Sequence, residues 1–268
     1  HKNYKEGEID KIMQSKRGQI ALFVIIALVL VVVIIVVLVY PKIKPSIISP
    51  SISDPKAYLT SCIEPTLRKQ LQTIGDNGGL INPEATVLNE GKEIRYLCYT
   101  SEYYKTCTVQ EPLIKERMED ELTKSIQSKI ESCIQQFVDE NKRKGNTVSV
   151  GEVSGFVTLN PNNVAVNVVA PMTITQETSR NYKVFNLDIE SQMYDLATIS
   201  SSIVSFEATY GDSEITTYLQ YYPELKIQKT QLSDGTTIYI VSNVISKESF
   251  TFASRSMPWP AGFPEERV

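Results

Sequence analysis

Between Ile20 and Tyr40 the chain carries no charged residue, and no other feature limits its architecture as strongly. About twenty apolar residues, rising 1.5 Å each in a helix, match a hydrocarbon layer of roughly 30 Å. Most of them are Val and Ile, weak helix formers in water, but in lipid the backbone can bond only to itself and the helix is the expected form. Lys2, Lys5, Lys11, Lys16 and Arg17 precede the run, and Lys42 and Lys44 follow it. That excess puts the amino terminus in the cytoplasm and the rest of the chain outside. A secretory signal has a shorter apolar core and a small-residue cleavage site, which Leu38, Val39, Tyr40 and Pro41 do not provide, so the helix is expected to stay attached. The expected layout is a cytoplasmic leader over 1–18, a transmembrane helix over 19–40 in the lipid bilayer, and an extracellular remainder anchored by a single pass in the cell membrane.

Lys16, Arg17, Gly18 and Gln19 lead directly into the apolar run. This junction resembles the processing site of archaeal type IV pilin-like precursors, in which a dedicated peptidase cuts after the Gly and leaves the apolar helix as the mature amino terminus. Carried over, the cut falls between Gly18 and Gln19. Where that family often has Ser and Glu shortly after the cut, this chain has Ala21 and Phe23. Translation from Met13 would give the short leader MQSKRG, so His1 and Met13 are alternative starts. The run has no GxxxG pair for close helix dimerisation. A stationary anchor and a filament subunit both remain open.

Residues 41–55 hold four prolines and many serines and read as an extended stalk. Ser53 and Lys56 match the SxxK nucleophile pattern, but no Ser-Asp-Asn or Lys-Thr-Gly partner follows, and a Ser-Asp-Pro helix start explains them better. Leu59, Cys62, Ile63, Leu67, Leu71 and Ile74 then recur at helical spacing, with Pro65 expected to kink or divide the helix near Ile63. Gly78 and Gly79 read as a turn closing it. The Tyr- and Thr-rich stretch up to Val109 predicts a hairpin with its turn at Ser101–Lys105 and Cys98 and Cys107 on opposite arms. Residues 111–144 predict the strongest helix, with a stripe through Ile114, Met118, Leu122, Ile126, Ile130, Cys133, Ile134 and Phe137.

Four cysteines allow three pairings. For an outward-facing domain the economical one joins Cys98 to Cys107 across the hairpin and Cys62 to Cys133 between two helix faces. No CxxC occurs and the only His is His1, so neither a zinc site nor any other metal or cofactor site is expected.

After Gly145, short alternating runs predict an antiparallel meander, then a helix over Asn186–Tyr210 with Leu187, Ile189, Met193, Leu196, Ile199, Ile203 and Phe206 inward. Strands flank Ser233, Asp234 and Gly235, and Phe250–Phe252 adds another. The expected fold class is α+β: the transmembrane helix and stalk, then an antiparallel sheet packed with amphipathic helices over 56–268. This organisation is similar to that of uncharacterised single-pass surface proteins of small-genome archaea, which implies a location and an architecture and no activity.

With 27 basic and 31 acidic residues the net charge is −4, which offers nucleic acid no basic stripe. Without an internal His, Ser-His and Cys-His catalysis fall away, and no carboxylate pair stands out. The tail carries Trp259 between two prolines and Phe263 before a third, stiffened aromatics suited to anchoring a partner. The expected function is structural, adhesive or interactive, through other cell-surface proteins or self-association. A processed filament subunit and a ligand-binding module are the alternatives.

Overall fold

The computed structural model describes residues 26–31 and 54–258, and the chain divides into two units, His1–Ser49 and Pro50–Val268. In the first unit the described residues are one helical piece, 26–31, about 9 Å long at the helical rise. Among the described residues no helix is long and apolar enough to cross a membrane. This overturns the transmembrane helix expected over 19–40, and with it the single-pass cell-membrane location with an extracellular domain. An apolar run of that length permits a span without imposing one, and β-branched Val and Ile add little helix propensity of their own. Lys16, Arg17, Gly18 and Gln19, the rest of the leader and residues 41–53 lie outside the described residues.

Helix α1 (Pro55–Asp76) opens the second unit. Asp54 caps it, accepting a 3.0 Å bond from Lys56 N–H, and Pro55, expected to end the stalk, occupies the first turn where its missing N–H costs nothing. Leu59, Ile63, Leu67, Leu71 and Ile74 form its buried stripe. Of the kink or division expected at Pro65, the division does not occur: the helix runs unbroken through it. Pro65 and Ser61 are both exposed, so solvent can supply the bond that the Ser61 carbonyl loses to the proline ring. Gly78 and Gly79 take left-handed φ values of +64° and +92°, and Gly79 N–H donates to Ile74 O at 2.8 Å, closing a Schellman-type cap.

Helix α2 (Ile114–Arg143) buries the whole stripe read from the sequence. Cys62 of α1 bonds to Cys133 of α2 with a Cα separation of 6.0 Å. Two sheets pack with these helices. The first has strands in the order β1 (Thr86–Asn89), β2 (Lys92–Tyr99), β10 (Ser249–Arg255), β9 (Thr236–Asn243) and β8 (Leu225–Gln231), with β3 (Thr108–Val109) also on β2. Its β2–β10 pair is parallel, so the sheet is mixed rather than antiparallel throughout. The second sheet is centred on β6 (Asn163–Thr175), with β4 (Thr147–Val150), β5 (Ser154–Asn160) and β7 (Ser179–Glu190) antiparallel to it.

The outer edge of β5 is covered by α2. Gly155, Val157 and Leu159 N–H groups donate to Gln127 Oε1, Thr123 Oγ1 and Glu119 Oε1 at 3.1, 2.9 and 2.7 Å. Residues four apart in a helix advance about 6 Å, close to the advance of two residues in a strand, so the two rows stay in step. The helix thus satisfies donors that an open edge would present to another chain.

Asn186–Glu190 belongs to β7, and the next helix, α3, runs only over Met193–Tyr210. Phe185, Leu187 and Ile189 are buried and alternate with exposed Asn186, Asp188 and Glu190; this two-residue period overrides the helical spacing read there. Phe206 also differs: it is 46% exposed, while Glu207 takes the inward position four residues after Ile203. A short helix α4 (Thr216–Tyr221) leads into β8. The α+β organisation of this unit stands, and one buried apolar cluster joins both sheets to α1, α2 and α3.

Candidate functional site

The stretch Tyr99–Cys107 carries three tyrosines on a short loop that polar residues would ordinarily fill. Antiparallel pairing of β2 with β3 sets Cys98 opposite Val109, and Cys98 bonds to Cys107 with a Cα separation of 5.3 Å. Glu102 and Lys105 close the loop from within at 2.5 Å. Tyr104 is held at φ +58°, a left-handed conformation that costs a bulky side chain about 1–2 kcal/mol. It is 72% exposed and Tyr103 58%. Strain of this kind persists only where neighbours over-determine it.

Those neighbours are the chain leaving β10 and the end of α3. Met257 N–H donates to Lys105 O at 2.9 Å. Ser256 Oγ accepts from Cys107 N–H and donates to Glu207 O, each at 3.0 Å. Pro258 then lies against Gly211, where φ is +86° and an added Cβ would stand 2.1 Å from Pro258 Cγ. Tyr210, just before that contact, is 68% exposed, and its ring centroid lies 5.7 Å from that of Phe206. Met257 and Pro258 therefore run between a contact that follows Tyr104 and one that follows Tyr210.

Beneath this aromatic end sits Glu207, 2% exposed. Its carboxylate accepts from the Tyr239 hydroxyl, from Ser254 Oγ at 2.9 Å and from Ser213 N–H at 3.0 Å. Burial pushes the Glu207 carboxyl above its ordinary range, with the Tyr239 and Ser254 bonds pulling the other way. Burial and the Glu207 charge raise Tyr239 as well. Lys229 pairs with Asp212 and donates to Ser213 O at 3.1 Å. Glu, Tyr and Ser here are sealed from solvent, so the network holds α3 to β9 and β10 and has no opening for a substrate.

A second feature lies where loops from both sheets meet. Two adjoining hollows of about 220 and 540 Å³ share Asn162, Gln192, Glu224 and Asn243. Glu248 borders the larger and caps α3, accepting from Ser191 Oγ at 2.7 Å and from Gln192 N–H at 2.5 Å.

No protein-family model matches this chain, and neither comparison with curated proteins nor comparison with solved structures finds a match. The chemistry of the two sites therefore carries the functional argument. Among the described residues no group of three or more His, Cys, Asp and Glu side chains is placed to hold a metal.

Of the residues singled out from sequence, the structure joins all four cysteines in the two pairs judged economical. The SxxK reading dissolves into the α1 cap at Asp54. Trp259 and Phe263 lie outside the described residues. Sequence reasoning missed Glu207, Ser254 and Ser256. A charged residue four places after Ile203 on an otherwise apolar stripe was the available signal for Glu207.

Proposed function

We propose that this chain is a disulfide-stapled interaction domain that acts by contact rather than turnover, and that its contact surface is the aromatic end formed by Tyr103, Tyr104, Phe206 and Tyr210. The observation that carries the reading is Tyr104, an exposed aromatic held in a strained backbone conformation by a disulfide-closed loop. Aromatic side chains with few rotors offer large contact area at low ordering cost, which suits a protein partner, whether another chain or a second copy of this one. Trp259 follows Pro258 directly in sequence, and with Phe263 extends the same chemistry. The two disulfides fit a chain that matures where thiols are oxidised.

The test compares the wild-type domain with Tyr103→Ser/Tyr104→Ser/Tyr210→Ser, and with Phe156→Ser as a remote control, by quantitative co-purification and sedimentation. A partner or oligomer reduced at least about tenfold by the triple change and retained by the control supports the reading. Equal recovery in all three removes it.

A further inference from the structure

We propose that the cleft between the two sheets binds a neutral, hydroxyl-rich ligand of the saccharide class, at a site separate from the aromatic end. Asn243 ends β9 and is only 6% exposed. Its Oδ1 is committed to the loop, accepting from Ile245 N–H at 2.8 Å and Ser246 N–H at 3.0 Å. Its Nδ2 has no acceptor among the described residues, yet Asn243 lines both hollows. Nδ2 is not among the sealed unpartnered atoms, so on an otherwise buried residue this one donor opens onto the hollow. This donor points to an acceptor supplied from outside.

The other groups decide what kind of acceptor. Glu224 borders both hollows and Asp195 the smaller one; the Glu224 main-chain oxygen accepts from Val244 N–H at 2.8 Å, while neither carboxylate has a hydrogen-bond or ion-pair partner among the described residues. Arg68, the cation of the larger hollow, is engaged by Glu64 at 2.7 Å and by Glu190 O at 3.3 Å. An anionic ligand would accept from Asn243 but meet unbalanced carboxylates. An ammonium ligand would suit the carboxylates but has nothing to offer Asn243 Nδ2. A hydroxyl accepts from an amide and donates to a carboxylate at once, so neighbouring hydroxyls on one ring satisfy both. Exposed Tyr222 on the rim of the smaller hollow adds an apolar face for the C–H side of a sugar. The larger hollow, at about 540 Å³, falls in the ordinary range for small-ligand sites.

The test titrates the 15N-labelled chain with maltotetraose, cellotetraose, chitotetraose and spermidine, each to about 20 mM. The expected result is saturable shifts at the Asn162, Gln192 and Asn243 amides with at least one saccharide. Binding should weaken about tenfold in Asn243→Asp, which keeps the loop-holding oxygen and deletes the donor, and in Glu224→Ala. Phe156→Ser, at an exposed strand position that lines neither hollow, should leave it unchanged. Silence with all three saccharides, undiminished binding in both cleft variants, or a stronger response to spermidine would each overturn the proposal. None of these outcomes touches the aromatic-end reading, which rests on different residues.

Discussion

Thr123 Oγ1 accepts a 2.9 Å hydrogen bond from Val157 N–H, so a helix side chain completes the bonding of a strand edge. Thr123→Val keeps the shape and deletes the acceptor. We expect a loss of about 1–3 kcal/mol, the cost of an orphaned, part-buried N–H, read from urea denaturation. Thr73→Val, whose hydroxyl bonds only within its own exposed helix turn, should cost less than half as much.

Glu207 makes stability depend on pH. Its folded pKa lies above the unfolded value, so between the two the folded chain holds a proton that the unfolded chain has released. The resulting stabilisation is complete below the unfolded pKa, near 4.5, and is lost as pH rises through the folded value. Glu207→Gln keeps an acceptor oxygen for Tyr239 and Ser213 N–H and turns an amide N–H toward Ser254 Oγ, which must then accept; with no carboxyl to titrate it should flatten this part of the profile in denaturant titrations from acid to neutral pH. An unchanged slope would show that other groups set it.

The Cys62–Cys133 bond spans 71 residues and the Cys98–Cys107 bond 9. The chain-entropy account assigns about 4 kcal/mol to the first and about 3 to the second. Cys62→Ala/Cys133→Ala should therefore lower the melting temperature more than Cys98→Ala/Cys107→Ala does. Partner contact should show the reverse order, because only the second bond closes the tyrosine loop.

Tyr104→Gly should raise stability and lower contact together. Relief of the left-handed strain is worth about 1–2 kcal/mol, and the added freedom of an unfolded glycine returns about 0.5–1 of it. Calorimetry should show a small gain in melting temperature, while partner recovery falls.

Gly211 and Gly91 have similar backbones, with φ of +86° and +78°, but only Gly211 has neighbours within 4 Å of an added Cβ. Gly91→Ala should cost about 1 kcal/mol from conformation alone. Gly211→Ala must also displace Pro258 and should cost at least about 2 kcal/mol, typical of overpacking. The difference between the two melting temperatures measures the Pro258 contact.

The α2 stripe was legible because its period holds from Ile114 to Phe137 and each member meets the same core. Asn186–Glu190 was not, since Leu187, Ile189, Met193 and Leu196 fit a helix as well as a strand followed by a helix. Pairing with β6, fixed by residues about twenty positions earlier, decided the strand. At Phe206 and Glu207, hydropathy placed the ring inside. The carboxylate went in because Tyr239 and Ser254, from strands distant in sequence, supply its bonds. Membrane length was read from apolarity alone, which sets an upper bound on a helix and no more. The cleft was invisible for a simpler reason: Asn162, Gln192 and Glu224 come from three separate connections and Asn243 from the end of β9, and none is unusual by itself.

The parallel pairing of β2 with β10 has a consequence for how the domain is made. Tyr96 and Cys98 meet Ala253 and Ser254, which leave the ribosome about 150 residues later, or roughly ten to thirty seconds at ordinary synthesis rates. Until then β2 and β9 stand with the slot between them empty. A nascent or truncated chain stopped before Ser249 offers two bare strand edges to its surroundings, so β10, the last strand among the described residues, is also the one that stops the domain from adhering to its neighbours during synthesis.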